Sequence, residues 1–212
     1  WDVEEMAYYD TCTLHVGLNP FNIYKVHGSE FLQLLTCTSV NTFKVFPIGK
    51  ARHTIFCDNN GKIILDGIVL RTGEEDFAAY NIPDPAFLNQ QMGNPFHFEC
   101  INLREKRFVF QMCGKRSLEV AEHVCRKDLH DLKFMHVTDA QVEGRDVLVL
   151  RTGMAGTLAY EIHGDAVDGP DIYQRILNIG AEYGIQEIGR LCYVNQHCEG
   201  SIFQLAEHFN IN

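Results

Sequence analysis

The chain has 212 residues, of which 46% are hydrophobic and 22% charged, with a formal net charge of −10. That much apolar material supplies one sizeable core or two small ones and excludes wholesale disorder. The acidic balance speaks against nucleic acid as a partner: phosphate neutralisation needs Lys and Arg gathered on one face, and here they come in small clusters such as Arg104, Lys106 and Arg107. No apolar run approaches the roughly 20 residues that span a bilayer and no secretory signal is visible, so no membrane is expected among the partners. The eight cysteines form no Cys-x-x-Cys pair and no framework spacing, and no N-glycosylation acceptor occurs. Together these predict a reducing, cytoplasmic setting. His123 with Cys125 and His197 with Cys198 are tight pairs, but neither has a second pair at zinc spacing, so no metal site is expected.

Ile23 to Val26 is a short apolar strand candidate running into Gly28, after which Phe31, Leu32, Leu34 and Leu35 fit one face of a helix. Thr42 to Phe46 reads as extended. Thr54 to Cys57 and Ile63 to Leu70 are β-like runs joined by Asp58-Asn59-Asn60-Gly61, a hairpin signal because Asn and Gly tolerate positive φ. A charged turn from Thr72 to Asp76 leads into Phe77 to Tyr80. Pro83, Pro85, Gly93 and Pro95 make residues 81–95 the loosest stretch, with one helical turn expected near Phe87. Arg107 to Gln111 is a strand, Gly114 follows, and Leu118, Val120, Ala121 and Val124 predict a helix. Leu132 to Val137, Val147 to Arg151 and Leu158 to Ile162 are strand-like. Asp171 to Tyr183 is the clearest helix, with Ile172, Ile176, Ile179 and Tyr183 on one face and Gly184 as a stop.

Val26-His27-Gly28 before Phe31 and Met112-Cys113-Gly114 before Leu118 repeat one pattern: a strand, a glycine, a helix, then further strands. The expected fold is therefore α+β, two related strand–helix halves each burying a helix-on-sheet layer. The expected division is a first half at residues 1–80, a connection at 81–106 and a second half at 107–212.

Three ordered segments resemble the folate-binding domain of the aminomethyltransferase (glycine cleavage T-protein) superfamily. They are Asn60 to Val69 followed by Glu75-Asp76-Phe77, Arg151-Thr152-Gly153-Met154-Ala155-Gly156 through Ala159-Tyr160-Glu161, and Gly180 to Ile185 followed by Ile188-Gly189. Aminomethyltransferases continue with a Gly-Ala-Arg-Asp type of sequence. Here the run is Gly189-Arg190-Leu191-Cys192-Tyr193-Val194-Asn195-Gln196-His197-Cys198-Glu199-Gly200. In that spacing, in Met154 and in Leu132 to His136, the chain is similar to the tetrahydrofolate-dependent O-demethylases of vanillate and syringate. The resemblance covers nearly the whole chain but not the family's C-terminal β-rich domain, which is expected to be missing or supplied by a partner subunit.

The resemblance implies tetrahydrofolate as cofactor and a small-molecule methyl donor, an aryl methyl ether. It also leaves open a methylamine or glycine-derived donor, or folate binding without catalysis. Tyr193 matches the tyrosine acid of the demethylases, and its unperturbed pKa of about 10 suits proton sharing with a phenolate. Glu161, on a strand-like segment, matches the glutamate that accepts the pterin's amino and ring N–H groups. Asp66 interrupts an apolar run and needs solvent or a partner. The resemblance gives it an orienting or catalytic role at the folate, although Leu65 replaces the first of two acids common there; a turn with Gly67 is the alternative. Arg71 offers a fork to a substrate carboxylate. His15, Asn195 and Glu199 would border the substrate, with His197 beside them, while Ile202 stands where an aromatic is expected.

Overall fold

Gly28 and Gly114 mark the same construction twice in the computed structural model, which describes residues 2–17, 22–153 and 156–202. The elements run α1 (Asp2–Asp10), β1 (Cys12–His15), β2 (Ile23–His27), α2 (Phe31–Thr38), β3 (Ala51–Cys57), β4 (Ile63–Arg71), β5 (Asp76–Tyr80), α3 (Pro85–Gln90) and β6 (Glu99–Asn102). They continue with β7 (Arg107–Cys113), α4 (Ser117–Cys125), β8 (His136–Val142), β9 (Arg145–Thr152), β10 (Ala159–Asp165), α5 (Gly169–Gly180), β11 (Ile185–Glu187) and α6 (Arg190–Glu199). Both glycines have φ on the left-handed side, +138° and +122°, where a side chain is strained. Gly28 N–H donates to the Glu75 carbonyl at 2.8 Å and Gly114 N–H to the Leu158 carbonyl at 2.9 Å. Their carbonyls accept from Phe31 N–H at 3.2 Å and Ser117 N–H at 3.1 Å, starting α2 and α4 in the same way.

The duplication extends through the sheets. Among the described residues one sheet is ordered β3-β4-β5-β2-β6 and the other β8-β9-β10-β7-β1-β11. Aligned on the glycine-ended strands β2 and β7, the three strands after each helix occupy matching places. The fold is α+β, as the repeated pattern predicts.

The chain divides into two units, one from residues 22–104 and the other from residues 2–17 together with 105–153 and 156–202. The division thus differs from cuts at 80 and 106. Residues 12–15, read with the first half, pair antiparallel with β7 and parallel with β11. Residues 81–106, read as a connection, contain α3 and β6, and β6 closes the edge of the first sheet against β2. The turn near Phe87 is α3, begun by Asp84, whose side chain accepts from Ala86 N–H, with Pro85 in the first turn.

In the 22–104 unit the core side of the sheet carries Tyr24, Val26, Phe56, Val69, Phe77 and Ala79 under Phe31, Leu34 and Leu35 of α2. Each of these three helix residues is fully buried, which stabilises by roughly 1.5–3 kcal/mol apiece. In the other unit Leu14, Phe108, Phe110, Met112, Val149, Tyr160 and Ile162 pack against Val120 and Val124 of α4 and Ile172 and Ile176 of α5. Two expected strands differ. Thr42 to Phe46 is irregular, because Phe43 and Phe46 are buried as plugs under Arg52, whose guanidinium lies 5.5 and 5.4 Å from their ring centres. Leu132 to Met135 is also irregular, with Met135 at φ +56°, and the strand begins at His136. Met154 and Ala155 lie outside the described residues.

Candidate active site

Strand register carries Glu161, Gln111 and His15 onto one line. His15 of β1 pairs with Gln111 of β7, and Gln111 pairs with Glu161 of β10. Laterally paired residues project from the same face of a sheet. The alternate residues Leu14, Met112 and Tyr160 point into the core beneath α4 and α5, so the polar line occupies the opposite face. This face also carries Thr13, Cys113 and His163. It is polar yet buried, with Thr13, His15, Gln111 and His163 between 0 and 8% exposed. Buried polar groups that converge in this way are the usual signature of a binding site.

The Glu161 carboxylate is held at both oxygens. Gln111 Nε2 donates to Oε1 at 2.9 Å and His163 Nε2 lies 2.9 Å from Oε2. Cys113 Sγ donates to Gln111 Oε1 at 3.4 Å. Burial raises the Cys113 thiol pKa well above its usual range, which keeps the S–H as a donor.

At one end of the line Tyr193 of α6 stacks on His15, ring centres 4.1 Å apart and planes 18° apart. Tyr193 and Ile202 pack against a small cluster of Tyr8, Cys113 and Ala159. Tyr193 also lies 4.6 Å from the His197 ring centre. Burial lowers the His15 pKa, opposed by a backbone hydrogen bond with Ile188, and Nδ1 is buried. A histidine whose folded pKa lies below its unfolded value, about 6.5, binds fewer protons folded than unfolded between the two values. Stability is therefore expected to fall as the pH drops below about 6.5, with a slope of at most ~1.4 kcal/mol per pH unit from this group. Urea unfolding from pH 7.5 to 5 checks this; His15→Phe should flatten that part of the profile, and an unchanged slope would contradict the assignment.

The remaining expected residues are placed as follows. Asn195 Nδ2 donates to Glu5 Oε1 at 2.9 Å, and Tyr9 Oη donates to Glu199. Both α6 residues thus engage α1, and the contact with Glu199 pushes the Tyr9 pKa up to about 12. Asp66 and Arg71 both belong to β4, in the other unit. Asp66 lies within the strand, not in a turn with Gly67, and its Oδ2 is 2.9 Å from His53 Nε2. It projects from the face turned away from α2, so in each unit the candidate acid leaves the sheet on the side opposite the main helical layer. Arg71 projects to the other face. Its Nη1 donates to the Phe46 carbonyl at 2.7 Å, Nη2 to Glu74 at 2.7 Å and Nε to Gly73 at 3.3 Å. Those bonds brace two loops. Among the described residues no group of three or more His, Cys, Asp or Glu could hold a metal ion, and no helix is long and apolar enough to cross a membrane. All eight cysteines are free thiols.

Gln111, His163 and Cys113 complete the site and had not been singled out. A signal existed for two of them: Gln111 interrupts the apolar run Phe108 to Met112, and His163 lies two residues beyond Glu161, hence on the same strand face.

A duplicated α+β frame thus carries a partly buried carboxylate on the sheet face opposite α4 and α5. The chain belongs to the family described as the GCVT N-terminal domain, matched over residues 7–207. It is 34% identical over 206 residues to the sesamin methylene transferase of Sinomonas sp. (strain No.22), covering 97% of this chain and 45% of that protein. The aminomethyltransferase of Bacillus cereus (strain AH187) is 30% identical over 171 residues, covering 77% and 45%. Among solved structures, the glycine cleavage system aminomethyltransferase T of Bartonella henselae superposes with a TM-score of 0.82 at 17% identity, over 98% of this chain and 56% of that one. Heterotetrameric sarcosine oxidase from Corynebacterium sp. U-96 gives 0.63 at 18% identity, over 89% and 94%. The chain spans about half the length of the curated relatives it matches.

Proposed function

We propose that the chain is the folate-binding part of a one-carbon transferase that moves a methyl group from an aryl methyl ether to N5 of tetrahydrofolate. The observation that carries the reading is the Glu161 carboxylate, fixed by Gln111 and His163 in a buried polar face, with its side chain still 13% exposed. An ionised carboxylate has about four acceptor sites. Gln111 and His163 use one on each oxygen, which leaves one on each for the paired amino and ring N–H donors of a pterin. Tetrahydrofolate supplies the N5 lone pair that accepts the methyl group.

The aryl O–CH3 bond breaks as N5–CH3 forms, and the phenolate oxygen needs a proton. Tyr193 is the donor in this reading, and the proton released from N5 restores its hydroxyl, so the products are a phenol and methyl-tetrahydrofolate. His15 holds the Tyr193 ring from one side. Two strand spacings separate the His15 and Glu161 backbones, roughly 10 Å, which leaves room for a donor beside a pterin. Asn195 and Glu199, on the same helix as Tyr193, are assigned orienting roles toward the donor in the same reading, whereas Arg71 is committed to its three loop carbonyls.

The test incubates the protein with tetrahydrofolate and a panel of methoxylated benzoates, sesamin, and a methylated glycine, following folate products by mass. Methyl-tetrahydrofolate with the matching phenol is the expected result. One-carbon transfer only from sesamin or only from the amine would reassign the donor. Folate binding without transfer would leave a binding protein, and no folate binding would end the proposal.

A further inference from the structure

We infer that Gln111 and His163 are positioning residues that set the plane of the Glu161 carboxylate for a ligand presenting two parallel N–H donors, an inference that rests on the folate reading above. A carboxylate on a strand turns freely about its last two side-chain bonds, and a bidentate ligand gains only from one of those orientations. Here both rotations are stopped. Gln111 donates to one oxygen and His163 lies at the same 2.9 Å distance from the other.

The supports are themselves fixed. The Cys113 thiol donates to Gln111 Oε1 at 3.4 Å, so the amide must present its N–H groups to Glu161. His163 shares the strand face of Glu161 and is 1% exposed, which leaves its ring little room to move. A proton on Nε2 turns its 2.9 Å approach into a donated bond. The gradient of exposure points the same way. Gln111 is 3% and His163 1% exposed, whereas the acid they hold is 13% exposed. A network built only for stability would bury its costliest member, the carboxylate, most deeply. This one leaves the carboxylate within reach and buries its supports.

The test measures the affinity of tetrahydrofolate, and of an analogue lacking the pterin 2-amino group, by fluorescence titration. The near-isosteric variants Gln111→Met and His163→Phe are each expected to weaken tetrahydrofolate binding ~10-fold, the usual scale for a hydrogen bond to a charged group. The analogue, already one donor short, should lose far less. In the Glu161→Gln background neither substitution should add a further loss, because there is no carboxylate left to orient. His163→Gln, which keeps an N–H, should recover most of the affinity. Equal losses for both ligands, or full losses in the Glu161→Gln background, would overturn the positioning role. If Glu161→Gln alone leaves tetrahydrofolate binding unchanged, the folate reading fails at its own residue, a distinct result. Should His163→Phe not fold, Gln111→Met carries the same comparison.

Discussion

Tyr193→Phe is expected to lower the rate of methyl-tetrahydrofolate formation by roughly 10²- to 10⁴-fold, the range for loss of a general acid, with tetrahydrofolate affinity little changed. The substitution is clean on physical grounds. Phenylalanine keeps the ring that stacks 4.1 Å from His15 and fills the cluster with Tyr8, Cys113 and Ala159, and removes only the hydroxyl. The deficit should also depend on the donor: a more acidic phenol needs less protonation as it leaves, so the loss should shrink along a series of electron-withdrawing ring substituents. A packing role would lower rate and affinity together and show no such trend. Parallel losses, or a deficit independent of the leaving group, would remove Tyr193 from the chemistry.

The repeated glycine pattern was legible in the sequence because its cause is local. A residue that must take positive φ at the end of a strand is written as Gly, and the helix face that follows is written at 3.6-residue spacing. The Asp58 to Gly61 turn and α5 were legible for the same reason. α1 and α6 were not, since each mixes charged and apolar residues without a clear stripe and takes its buried side from partners distant in the chain. β1 is four residues long and buried throughout, so no alternation announces it, and β6 is a mostly exposed edge strand. At the site, Glu161, Tyr193 and His15 could be named from a resemblance, but not their relation. That relation is a register across three strands, Arg107–Cys113 in the middle, joining residues as far apart as 15, 111 and 161. Arg71 shows the converse: a guanidinium suited to a ligand carboxylate is engaged by three backbone carbonyls, a use no spacing reveals.

Gly114→Ala is expected to cost about 3 kcal/mol of stability, combining a strained backbone with a steric clash. With φ at +122°, a Cβ at this position would stand 2.5 Å from the Thr11 carbonyl oxygen and 3.0 Å from that of Tyr8. Neither is a flexible side-chain tip. Both are backbone atoms at the junction of α1 and β1, and Gly114 itself bonds to Leu158 ahead of β10. Gly61→Ala is the control: its φ is +78° with nothing within 4 Å of the added carbon, so it should cost only the left-handed backbone term, about 1–2 kcal/mol. The difference between the two, read from urea unfolding midpoints, reports the clash together with the greater backbone strain at φ +122° than at +78°. Any shift that relieves the clash must move β1 or β7, the strands that carry His15 and Gln111, so Gly114→Ala should also weaken folate binding while Gly61→Ala does not. Equal costs for the two variants would mean that the α1–β1 junction yields freely, and that the line from His15 through Gln111 to Glu161 does not depend on the glycine for its register.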